Sequence, residues 1–99
     1  MDDEMLEIGI DHFKSGRFDK AEEVFQKCIA ASISPARANA CLGWCLLRKG
    51  HALQASVQFK KSLELSHDNW ESWLGLGRAY KNQKRGNLAI EAFENSLKL

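Results

Sequence analysis

Apolar positions recur three and four residues apart along the chain. Met5, Ile8, Gly9 and His12 share one face of a helix, and Ala21, Val24, Phe25, Cys28 and Ile29 share another. Carried through the sequence, this spacing predicts six helices over 2–15, 19–32, 36–49, 53–66, 70–83 and 87–99. Gly16 and Gly50 fall between the members of the first two pairs, where a helix-ending left-handed residue is cheapest as glycine. The stretch Asp19 to Glu22 reads as an N-cap with an acid three residues on, opening the second helix. Pro35 stands at the entry to the third helix. Lys84 stands where the other turns have glycine, and Gly86 comes two residues late, so the fifth helix is expected to run longer or end irregularly.

The pattern repeats. Gly9, Gly43 and Gly77 are 34 residues apart, as are Ala21, Ala55 and Ala89, and Phe25, Phe59 and Phe93. The same offset relates Ile8, Leu42 and Leu76, then Ile29, Leu63 and Leu97, then Cys28, Ser62 and Ser96. Six columns in one register define three tandem units of two helices, about 2–35, 36–69 and 70–99, in a single domain over 1–99.

Trp73, Leu76, Gly77 and Tyr80, followed by Ala89 and Phe93, match a W-x-x-L-G-x-x-Y then A-x-x-x-F pattern, and on these residues the chain resembles the tetratricopeptide repeat family. The first two units are looser: Met5 and Asn39 replace the tryptophan, and His12 and Leu46 the tyrosine. His67 replaces the family's proline after the second unit, so the fourth helix is expected to run into the fifth. The resemblance implies an all-α fold, a right-handed superhelical solenoid of three helix-turn-helix repeats. It places Gly9, Gly43 and Gly77 where two helix backbones cross, with Ala21, Ala55 and Ala89 as small counterparts. Gly75 has no glycine counterpart and falls in a groove-facing register, as a bare patch for a ligand backbone or as a tolerated neutral residue.

The family's first helices line a concave groove. By register this groove holds Leu6, Ile10 and Phe13, then Arg37, Cys41, Trp44 and Arg48, then Glu71, Leu74, Arg78 and Lys81. Trp44 is an extra aromatic, in the column of Ile10 and Arg78, and reads either as a binding anchor, as large aromatics in concave sites frequently are, or as a residue that packs between neighbouring first helices. Family members that clamp acidic chaperone tails carry lysine, asparagine and arginine at five groove positions. Here those are Leu6, Ile10, Cys41, Glu71 and Gly75, so no chaperone-tail carboxylate clamp is expected.

Charge and chemistry narrow the function further. The net charge of +1 is uneven, with −4 on the first unit and +3 and +2 on the others. Lys60, Lys61 and Lys98 lie on second helices, outside the groove, so a solvated face is expected and no nucleic-acid partner. Three cysteines without framework spacing favour a reducing compartment. With no apolar leader and no run near ~20 residues, no membrane insertion is expected and the location is cytoplasmic or nuclear. His12, His51 and His67 share no site, Cys41 and Cys45 lack further metal ligands, and no phosphate or zinc motif occurs. No enzyme activity, metal or cofactor is expected. Two readings remain: a peptide-binding adaptor or scaffold using the groove, and a self-associating scaffold (a homo-oligomer) using Ile90, Phe93 and Leu97 on an uncapped last helix.

Overall fold

The computed structural model describes residues 3–99; Asp2, where the pattern starts the first helix, lies outside them. The helices are α1 (Asp3–Lys14), α2 (Phe18–Ala30), α3 (Pro35–Arg48), α4 (Ala52–Leu65), α5 (Trp70–Asn82) and α6 (Gly86–Leu97). There is no strand among the described residues. The chain is an all-α helical-repeat solenoid.

The turns inside the three pairs are alike. Helices α1, α3 and α5 end at Lys14, Arg48 and Asn82, in one 34-residue register. Gly16 and Gly50 take φ of +79° and +86°, and Lys84 takes +60°. The backbone N–H of Arg17 donates to the His12 carbonyl at 2.8 Å, that of His51 to Leu46 at 2.8 Å, and that of Arg85 to Tyr80 at 2.9 Å. The expected irregular end of α5 is therefore corrected. A lysine in the left-handed region is disfavoured by roughly 1–2 kcal/mol, yet the closing hydrogen bond and the packed helix pair hold it there. Gly86 opens α6 instead of closing α5.

Two other junctions differ from the sequence reading. Asp19 caps nothing: α2 starts one residue earlier, at Phe18, and no side chain caps it. The Asp19 carboxylate accepts instead from Lys49 Nζ at 2.7 Å, and Glu22 accepts from the same ammonium at 3.3 Å, tying α2 to the end of α3. That contact lowers the Asp19 pKa and raises that of Lys49. Helix α4 does not run into α5 either. It stops at Leu65, and Asn69 caps α5 by accepting from the N–H groups of Glu71 and Ser72 at 3.1 and 3.3 Å. Trp73 Nε1–H donates to the His67 carbonyl at 2.9 Å, fixing the connection where proline is missing.

Each turn of three residues folds a helix back on its predecessor, and successive pairs stack. Helix α3 approaches both α1 and α5 directly, whereas among the described residues α4 approaches neither α2 nor α6. The stack therefore curves, with α1, α3 and α5 inside and the second helices outside. A polar column supports it. Ser62 Oγ donates to the Ala36 carbonyl at 2.7 Å and lies 2.8 Å from Ser72 Oγ, and Ser96, in the same column, donates to the Trp70 carbonyl at 3.2 Å.

The glycines answer to phenyl rings. A Cβ on Gly9 would lie 2.5 Å from the Phe25 ring, one on Gly43 2.9 Å from Phe59, and one on Gly77 2.4 Å from Phe93. The groups that need the missing side chain are thus the rings one turn beyond Ala21, Ala55 and Ala89, and not a facing backbone. Gly75 belongs to the same device. Its Cβ would meet Phe59 at 2.3 Å, so the buried Phe59 ring sits between Gly43 on its own pair and Gly75 on the next. Gly75 is neither a bare patch for a ligand nor a neutral residue.

Phe93 is correspondingly half-buried over Gly77, so Ile90, Phe93 and Leu97 do not form one exposed stripe. Only Ile90, 58 % exposed, and Leu97, 86 % exposed, face outward.

Helix propensity alone makes Gly75→Ala stabilising by about 1 kcal/mol. Because the Phe59 ring has nowhere to retreat, the substitution is expected to destabilise by roughly 1–3 kcal/mol. Gly86→Ala, with nothing within 4 Å of the new Cβ, serves as the control and should not destabilise. Urea unfolding of the three proteins checks this; a stabilised Gly75→Ala would refute the packing role.

Candidate binding groove on the concave face

The site follows from the period. Because α1, α3 and α5 lie side by side, their columns become rows across the inner surface. Ile10, Trp44 and Arg78 form one row, Phe13, Leu47 and Lys81 the next, and Lys14, Arg48 and Asn82 a third. Of the residues assigned to the groove from sequence, Ile10, Phe13, Arg37, Cys41, Trp44 and Glu71 line one pocket of about 250 Å³, together with Lys14, Phe25, Ala40 and Asn69. Trp44, Arg48, Arg78 and Lys81 line a second cleft with Leu47 and Asn82. Leu74 is half-buried and lines neither.

Leu6 does not belong to the groove. It is 0 % exposed and part of the hydrophobic core, pointing inward one turn before Ile10. The sequence reading missed Lys14, Phe25, Ala40, Leu47, Asn69 and Asn82. The period itself would have found four of them, since Lys14 and Asn82 share a column with Arg48, Leu47 shares one with Phe13 and Lys81, and Ala40 shares one with Leu6 and Leu74. Asn69 lies in a connection and carried no such signal.

Trp44 is held by two neighbours. Its ring meets Phe59 edge-on at 5.3 Å between centroids, and the Arg78 guanidinium lies 5.6 Å over it. The glycine seats under Phe59 therefore also set the pose of Trp44. Arg48 lies 5.6 Å from the Phe13 ring centroid and 5.2 Å from that of Phe18. Cation–π contacts of this kind are worth roughly 0.5–1 kcal/mol at exposed sites, and they orient the guanidinium groups without neutralising them. Near Trp44 the surface is apolar with a cationic rim.

The pocket is smaller than the roughly 300–1,000 Å³ of sites for drug-sized ligands and suits a single large side chain. The thiols at and beside it are held in the neutral form. Burial pushes the Cys41 thiol up to about 11, with Arg37 opposing and Glu71 adding to the rise, and burial pushes Cys45 to about 12. His12 is taken up locally, its Nδ1 accepting from Arg17 Nε at 2.9 Å. Among the described residues no three His, Cys, Asp or Glu side chains gather as a metal set, and no helix is long and apolar enough to cross a membrane.

Comparison with known proteins agrees with this architecture. A sequence model described as tetratricopeptide repeat matches residues 12–32 and 71–99, and the chain belongs to that family, whose members are generally non-enzymatic interaction modules. Among solved structures, the second tetratricopeptide domain of Spaghetti (RPAP3), bound to the HSP90 peptide SRMEEVD, is similar at a TM-score of 0.94 and 22 % identity. The match covers 99 % of this chain and 91 % of that one. No curated protein matches the chain significantly.

This overturns one expectation from the sequence. Excluding a chaperone tail as partner rested on the five positions Leu6, Ile10, Cys41, Glu71 and Gly75 alone, and a domain of the same fold along nearly the whole chain holds such a tail. Physically, five side chains do not exhaust a groove: acids respond to the summed field of its cations, and Arg37, Arg48, Arg78 and Lys81 all line it.

With the Cys41 and Cys45 thiols held near 11 and 12, both stay protonated at pH 8 and react slowly with iodoacetamide. Cys41, half-buried at the pocket, is expected to be alkylated first, at a rate rising with pH toward 11, and Cys28 and Cys45 only on unfolding. Peptide mass mapping over a pH series reads this out; rapid Cys41 labelling at pH 7 would contradict it.

Proposed function

We propose that the chain is a protein-interaction module whose concave face holds a peptide segment of a partner. In this reading it works as an adaptor or scaffold within a larger assembly in the cytosol or nucleus, with the repeats 2–35, 36–69 and 70–99 acting as one domain. The observation that carries the proposal is Trp44: an oriented, half-buried aromatic on the inner face, with an apolar pocket on one side and cations on the other. Such an arrangement suits one large apolar side chain accompanied by acids. Burial of the apolar group would supply most of the affinity, while the cations set rate and selectivity.

The peptide SRMEEVD on the similar Spaghetti domain has that composition, a methionine among carboxylates. Acidic chaperone tails of this kind are therefore a partner class for this chain, held by its own set of groove residues.

With SRMEEVD as probe, Trp44→Ala is expected to weaken binding by about 2 kcal/mol or more while the far-ultraviolet circular dichroism stays helical. Arg78→Glu should slow association, with a strong dependence on salt. Lys61→Glu, exposed on the convex α4, should bind as the parent does. Calorimetric titration of these variants decides the face: normal binding by Trp44→Ala with loss in Lys61→Glu would place the ligand on the other side.

A further inference from the structure

Trp44 is shared by both depressions of the inner face, and they differ in chemistry. The first is walled by Ile10, Phe13, Phe25, Ala40 and Cys41. The second gathers Arg48, Arg78 and Lys81 around Leu47 and Asn82. Among the described residues the ion pairs are Lys27 with Glu23 and Lys49 with Asp19 and Glu22, so none of the three cleft cations has a carboxylate within reach. The two arginines lie on aromatic rings, which hold them in place and leave their charge uncompensated. Three like charges converging on a partly apolar cleft repel one another, and a ligand with two negative charges relieves that repulsion.

The separation of the two depressions is set by α3. On α3 the pocket is lined by Arg37, Ala40, Cys41 and Trp44 and the cleft by Trp44, Leu47 and Arg48, so the midpoints of the two linings lie about six residues apart along the helix. At 1.5 Å per residue this is roughly 9 Å, which an extended peptide covers in about three residues. Lys14 and Arg37 at the pocket rim are accompanied by Glu71, whereas the cleft lining contains no acid. The two depressions thus sort an apolar group from anionic ones.

Resting on the reading that the concave face binds a peptide, we propose that this face reads a spaced two-part motif. A large aliphatic side chain enters the α1–α3–α5 pocket, a pair of carboxylates about three residues away enters the Arg48–Arg78–Lys81 cleft, and the intervening main chain crosses Trp44. The spacing, and not the number of acids alone, selects the ligand.

A peptide series tests this: acetylated and amidated SRM(S)nEEV with n from 0 to 5, and the matching QQ series. Each is titrated by fluorescence anisotropy against the full chain and against Arg78→Gln/Lys81→Gln, with the Trp44 indole N–H resonance followed in parallel. Affinity should peak at n of about 2 and fall about tenfold in the QQ series. The peak should vanish in the double variant, whose substitutions are both on the exposed surface. If the peptides shift the Trp44 resonance but bind alike at every n, or alike with QQ, or keep the peak in the double variant, the two-part motif is wrong while the groove reading stands. If saturable binding occurs without moving Trp44, or no peptide binds, both fail.

Discussion

The phenyl ring laid on a glycine is the contact on which the rest of this structure depends. Phe25 on Gly9, Phe59 on Gly43 and Phe93 on Gly77 repeat it in every pair of helices. Each ring can reach its site only because no Cβ stands there. Glycine in a helix interior is disfavoured by about 1 kcal/mol relative to alanine, and burying a whole aromatic side chain outweighs that by a factor of two or three. At Phe59 the device is doubled, because Gly75 opens the next pair to the same ring. The step from the second repeat to the third is thereby fixed, with the buried hydroxyls of Ser62 and Ser72 beside it.

The proposed binding surface is built on that step. Phe59 and Trp44 pack with their rings nearly perpendicular, and the Arg78 guanidinium lies over the indole. Gly43, Gly75 and Phe59, which line neither depression, thus determine where the Trp44 wall stands. The cations lie further along the same helices, held on aromatic rings, so the inner face is prepared before any partner arrives. Preorganisation of this sort lowers the ordering cost that a peptide site otherwise has to meet on binding.

Much of this was legible in the sequence because a repeat states each constraint three times. The column Gly9, Gly43 and Gly77 located the close approaches, and the helix ends followed to within two residues. Failures came where one copy departs from the period. Lys84 takes a glycine's conformation because the surrounding turn is fixed by its neighbours, something a residue-by-residue propensity does not contain. Gly75 has no counterpart in the other units, and its partner Phe59 lies in the preceding repeat, so no pattern within a single unit revealed the contact. Leu6 was placed in the groove by column, yet its side chain points into the core. The five-position test for a chaperone tail failed for a related reason: it treated a groove as a set of separate positions, whereas charge acts across the whole surface.

The central claim is that ligand recognition belongs to the inner face of α1, α3 and α5. The most direct measurement is a map of backbone amide and indole N–H chemical-shift changes, by heteronuclear NMR, on addition of SRMEEVD. The account predicts changes concentrated at Ile10, Phe13, Cys41, Trp44, Arg48 and Arg78, with α2, α4 and α6 quiet. Changes confined to the outer helices, around Lys61 and Leu65, would contradict it.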